Sequence, residues 1–149
     1  MRGVLINNRG GAGRWLVILI IVVAAVFGYQ YFKKTPRYAL IQFKKAVLFS
    51  NAEAARQYMD LDRVVPGLPE KYTNREPDES VKNRLIYEFD SPTEKSIIKS
   101  VKQWSVVASS ITVSENRMYA TVAPLNGTNI TLEKTKQDQW IITRWEISD

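Results

Sequence analysis

WLVILIIVVAAVFGYQYF, residues Trp15 to Phe32, is an uncharged stretch of 18 positions that divides the chain into a tail, a span and a body. At about 1.5 Å per residue, a helix of this length reaches roughly 27 Å, close to the hydrocarbon thickness of a bilayer. Arg14 bounds it on one side and Lys33-Lys34 on the other. Trp15, Tyr29 and Tyr31 stand near its ends, where amphipathic rings settle at headgroup level. The stretch predicts a transmembrane helix over 15–32, flanked by Arg14, Trp15, Tyr29, Tyr31, Lys33 and Lys34. A cleaved signal peptide has a shorter apolar region ending in small residues. Here the apolar run ends in Phe27, Tyr29, Tyr31 and Phe32.

Basic residues near the span are balanced, with Arg2, Arg9 and Arg14 before it and Lys33, Lys34 and Arg37 after it. A short basic tail is expected to stay in the cytoplasm, and a following domain crosses largely regardless of its charge. The expected product is a single-pass membrane protein, N-terminus cytoplasmic and C-terminal domain outside. The Gly-rich tail, residues 1–14, is expected to be disordered. Its glycines are not a nucleotide loop, since Leu16 stands at the third glycine position of the dinucleotide fingerprint and a span follows.

The net charge of +6 gains meaning once located. Residues 1–50 hold eight Lys/Arg and no acid, whereas residues 51–149 hold 13 Lys/Arg and 15 Asp/Glu. Basicity is therefore juxtamembrane, where it attracts anionic headgroups, and the near-neutral body is a poor nucleic-acid binder. Cysteine and histidine are both absent. Disulfides, thiol nucleophiles and imidazole acid/base or metal chemistry are excluded together. No cofactor and no metal are expected.

Past the span, residues 33–149 leave room for one small domain. Thr35-Pro36 reads as a helix start, with Ala39, Leu40, Phe43, Ala46 and Val47 at helical spacing and Lys44 and Lys45 on the wet side. Ser50-Asn51-Ala52-Glu53 reads as a capping box that opens a second helix, with Ala54, Ala55, Tyr58 and Met59 as its apolar side. The two helices should form a hairpin. Asp60 to Val65 is expected as a short helical turn and Pro66 to Asp78 as a loop. Val81, Leu85, Ile86 and Phe89 suggest a third helix. Ser91-Pro92-Thr93-Glu94, a second capping box, should launch a fourth carrying Ile97, Ile98 and Val101.

From Trp104 the period changes from helix to strand. Strands are expected over Val106 to Val113, around Met118 to Ala123, from Asn129 to Lys136, and from Trp140 to Ile147. Asn126-Gly127 is a hairpin turn. In the last strand Trp140/Ile142 and Ile141/Trp145/Ile147 fall on opposite faces unless a bulge intervenes. Helices over about 36–103 followed by four antiparallel strands over about 104–147 make an α+β domain, with helices packed on one face of a curved sheet.

The run Pro36-Arg37-Tyr38-Ala39-Leu40 with Phe43, Ala46 and Val47, then Asn51-Ala52-Glu53-Ala54-Ala55 and Tyr58, and the closing Gln139-Trp140-Ile141-Ile142, resembles membrane-anchored bacterial domains of the nuclear transport factor 2-like (cystatin-like) fold. Families of unknown function are among them. The resemblance covers roughly residues 35–149. It implies a cone whose sheet and helices can enclose a pocket, in relatives that include enzymes, ligand binders and inner-membrane components of type IV secretion machines. In such enzymes an aspartate often works with histidine or tyrosine, and histidine is missing here.

Candidate sites are few. Asp60 and Asp62 lie two apart on a helical turn and so face different ways, with Arg63 placed to pair with them. Glu70, Glu76, Asp78 and Glu79 lack the regular oxygen-ligand spacing of a calcium loop. Tyr38, Tyr58, Tyr72, Tyr87, Tyr119 and the tryptophans are expected mainly in the core. Asn126-Gly127-Thr128 and Asn129-Ile130-Thr131 match the glycosylation pattern but read as turn and strand. The expected function is a non-catalytic, membrane-tethered interaction module in an envelope or secretion assembly, whose partners are the bilayer and either an unidentified protein or a second copy. The alternatives are a binder of a small apolar ligand and, third, an isomerase or dehydratase with an aspartate buried beside a tyrosine.

Overall fold

The computed structural model describes residues 9–147 except Ala108, Pro124 and Asn126. The chain divides into two compact units between Lys33 and Lys34. The first is α1 (Arg9–Lys33). It begins six residues before Trp15, so Arg9 to Arg14, expected in the disordered tail, are helical. The rest of that tail lies outside the described residues.

The second unit is α+β: several helices and an open, four-stranded antiparallel sheet. Its first helix is α2 (Pro36–Leu48), capped as its sequence requires, with the Tyr38 N–H donating to Thr35 Oγ1 at 3.2 Å and proline in the first turn. Lys44 departs from the expected wet side, because its ammonium donates to the Trp104 carbonyl at 2.6 Å. Helix α3 (Ala52–Arg56) is capped by Asn51, whose side chain accepts from the Ala54 N–H at 3.0 Å. The cap is one residue later than expected because Ser50 takes a left-handed φ of 52° to turn the chain.

Tyr58 and Met59 leave the helix and run beside the sheet. The Ile142 N–H donates to the Tyr58 carbonyl at 2.7 Å and the Asp60 N–H to the Ile142 carbonyl at 2.9 Å. Helix α4 (Leu61–Val64) follows, then a 3-10 turn (Val65–Gly67) and α5 (Glu70–Thr73). The segment expected as plain loop is thus partly helical, with Leu68 buried in the core.

Helix α6 (Asp78–Asp90) buries Val81, Leu85, Glu88 and Phe89, and α7 (Ile97–Val101) buries Ile97, Ile98 and Val101. The capping box expected at Ser91 does not form. Ser91 closes α6 by donating its N–H to the Tyr87 carbonyl, and α7 starts later, with Ser96 accepting from the Ile98 N–H at 3.1 Å.

Strands β1 (Ser110–Val113), β2 (Tyr119–Ala123), β3 (Thr128–Lys134) and β4 (Trp140–Ile147) form a meander in that order. Residues 106–109, expected as strand, are not. The Arg37 guanidinium collects the carbonyls of Val106 (2.7 Å), Val107 (2.6 Å) and Ser109 (3.3 Å), which bends that segment away from a ladder. At the β2–β3 turn Asn126 lies outside the described residues. Gly127 has φ 82°, and Leu125 and Thr128 exchange backbone hydrogen bonds across the turn.

A bulge settles the last strand. Thr131 pairs with Arg144 and Leu132 with Ile142, which leaves Thr143 as the extra residue. The slip brings Trp145 onto the same buried face as Trp140 and Ile142. Ala120, Val122, Ile130 and Leu132 complete that face against the helices.

Candidate functional site

Three features could carry function: the exposed helix, a polar cleft, and the helix-side face of the sheet. In α1, Gly11–Lys33 is a 23-residue run of mean hydropathy 2.2, and none of its most apolar window is buried. Arg14 and Trp15 stand near one end of it, and Tyr29, Tyr31 and Lys33 near the other. The Lys33 ammonium lies 4.6 Å from the centre of the Tyr29 ring. Lys34, the last of the expected flanks, is the first residue of the body. Its carbonyl accepts from Trp140 Nε1 at 2.9 Å and its ammonium lies 3.7 Å from Asp138.

The cleft, about 210 Å³, lies among α5, α6 and α7. Glu88 is the buried group in it. The Ser96 hydroxyl donates to Glu88 Oε2 at 2.5 Å, the Thr93 hydroxyl lies 3.4 Å from Oε1, and Arg84 Nε approaches to 4.0 Å. Ser96 also caps α7, so a single relay runs from the carboxylate through a hydroxyl to a helix N-terminus. A buried carboxylate must be supplied with donors. That demand explains why Thr93 and Ser96, rather than Ser91 and Glu94, organise this turn.

Arg84 is committed as well, to Glu76 at 2.7 Å and to the Tyr72 carbonyl. Lys71 and Lys95 line the cleft. Sequence reasoning missed Glu88, although a signal was present. Val81, Leu85, Glu88 and Phe89 follow the i, i+4, i+7, i+8 pattern of a buried stripe, and a glutamate within such a stripe must be buried with partners.

The singled-out acids disperse into ion pairs. Asp60 stands before α4 without a side-chain cap. Asp62 pairs with Lys82 at 2.7 Å, and Arg63, expected to serve the two aspartates, pairs with Glu133 at 2.5 Å. Lys82 also meets Glu79 at 2.6 Å. The hydrogen bonds it donates to Asp62 and then to Glu79 push its ammonium pKa upward. Glu70 pairs with Arg75. Among the described residues no group of three or more acids converges on a metal position, and no aspartate is buried.

Side chains fill the helix-side face of the sheet. The Trp104 and Trp145 rings lie 4.9 Å apart, and Phe43 sits 6.0 Å from Phe89 and from Trp104 and 6.3 Å from Trp145. Both of these indole N–H groups are buried with no acceptor among the described residues. Tyr58 is half-buried against this core, and desolvation raises its phenol pKa. Tyr87 and Tyr119 are exposed, contrary to the expectation of a core role. Compared with known proteins, the chain matches no family model, no curated protein and no solved structure.

Proposed function

We propose that this protein is a single-pass membrane-anchored, non-catalytic interaction module, its small α+β body standing outside the cytoplasm as part of an envelope or secretion assembly. One observation carries the reading: an apolar helix long enough to cross a bilayer has its side chains from Trp15 to Phe27 uncovered by protein. Exposing such a run to water is strongly unfavourable, at about 25 cal/mol per Å² of apolar surface. The body needs no help from that helix, because every buried core residue lies between Ala39 and Trp145. The order of helices followed by a four-stranded meander supports the nuclear transport factor 2-like resemblance.

The filled helix-side face of the sheet weighs against a pocket for an apolar ligand. The hydroxyl partners of Glu88 favour a structural role for it over acid/base chemistry. The test is alkaline extraction of cell membranes and, on separate sealed spheroplasts, protease digestion from the outside. The full-length chain should stay in the membrane pellet and lose its body to protease. Recovery in the aqueous supernatant would overturn the anchor, and a protected body in intact spheroplasts would overturn the orientation.

A further inference from the structure

The two edges of the sheet differ. The β4 edge is covered by the Tyr58–Asp60 segment and carries Arg144 and Glu146. The β1 edge carries Ser110, Ile111, Thr112 and Val113, with no charge, no proline and no neighbouring strand among the described residues. Soluble proteins blunt such edges, because their open backbone groups are templates for another strand. The direction of those groups follows from the ladder. Ser114 donates its N–H to the Tyr119 carbonyl at 2.8 Å, so the even-numbered residues of β1 face β2. By alternation, Ile111 and Val113 aim N–H and C=O outward. Val113 (42 % exposed) lies in β1, and Val107 (79 %), Met118 (41 %) and Tyr119 (47 %) lie within six residues of it along the chain. These are four of the seven exposed large apolar side chains on the body among the described residues.

We propose that β1 pairs antiparallel with β1 of a second copy of this chain, with Thr112 on the two-fold axis. In that register Ile111 opposes Val113 of the second copy and the reverse, which makes four backbone hydrogen bonds. Both copies keep their helices on the same side of a continuous eight-stranded sheet, apolar residues meet apolar ones, and no like charges face each other. A four-residue edge buries far less than the roughly 800 Å² per partner of a stable interface. Confinement to one bilayer raises the effective concentration that offsets this shortfall. The inference therefore rests on the membrane-anchored reading and names self-association as its partner.

The absence of cysteine makes the test direct. Residues opposed in a non-hydrogen-bonded antiparallel pair have Cα atoms about 4.5 Å apart, within disulfide reach. Full-length Thr112→Cys in its native membrane, treated with copper phenanthroline, should give a disulfide-linked dimer at least tenfold more abundant than Thr121→Cys, an exposed position on β2. Adding Ile111→Pro, which removes an outward N–H and spares the bonds to β2, should cut the Thr112 cross-link at least tenfold with the near-UV circular dichroism unchanged. Equal cross-linking at both positions, or none at Thr112, overturns the pairing even if Ile111→Pro does not fold. Alkaline extraction of the same membranes separates the two failures. A membrane-retained chain without the cross-link removes the pairing alone, and a chain released to the aqueous phase removes the anchor and the pairing with it.

Discussion

Glu88 and Ser96 offer a quantitative test of the polar cleft. Ser96→Ala removes the hydroxyl that donates to Glu88 at 2.5 Å and accepts from the Ile98 N–H at 3.1 Å. A hydrogen bond to a buried charged group contributes about 1.5–3 kcal/mol and an N-cap about 1 kcal/mol, so the expected loss is about 2.5–4 kcal/mol. The Glu88 side chain is 6 % exposed, so little of this is lost to solvent screening. Glu88→Gln keeps the shape and loses the charge-assisted bond, at about 1.5–3 kcal/mol. Because one bond is common to both losses, the double variant should be less destabilised than their sum by about 1.5–3 kcal/mol. Urea unfolding of the detergent-solubilised full-length chain, followed by tryptophan fluorescence, reads all four corners of the cycle. Trp104, Trp140 and Trp145 report on the body, and Trp15 adds a constant background. Additivity to within about 0.5 kcal/mol would show that the two side chains act independently and refute the relay.

The other expectations concern the core, the bulge and an exposed carboxylate. Phe43→Ala empties a fully buried site beside three aromatic rings and should cost about 3–5 kcal/mol by the same urea assay, whereas Tyr87→Ala, at an exposed position, should stay within about 0.5 kcal/mol. Deleting Thr143 should remove the bulge while keeping Ile142 opposite Leu132 and Trp145 opposite Ile130, so a cooperative transition and an intact near-UV spectrum are expected; loss of both would refute the bulge. Lys134 and then Lys34 hold the Asp138 carboxyl below its ordinary 3.8. Its contribution is therefore present above that value and fades as pH falls through the lower, folded-state pKa. A carbon-13 carboxyl titration should place its midpoint under 3.8, and Lys134→Met should bring it back up.

Much of this protein is local and therefore legible in its sequence. An uncharged run as long as a bilayer is thick, a threonine–proline helix start at residue 35, and the change from helical to alternating period near Trp104 depend only on neighbours along the chain. The mean line of the fold, helices and then a four-stranded meander, follows from them. What failed were boundaries and caps whose outcome depends on distant partners. Residues 106–109 have the composition of a strand, yet Arg37, some seventy positions away, claims their carbonyls. The box at Ser91 has the right letters, yet burial of Glu88 draws Thr93 and Ser96 into a different turn. The extra residue at Thr143 was foreseeable only as a condition, because strand register is set across the sheet rather than along it. The edge that β1 leaves open likewise exists only once four strands have been ordered in space. Periodicity and capping are short-range physics, while burial, pairing register and the satisfaction of buried polar groups are decided by residues far apart in the chain.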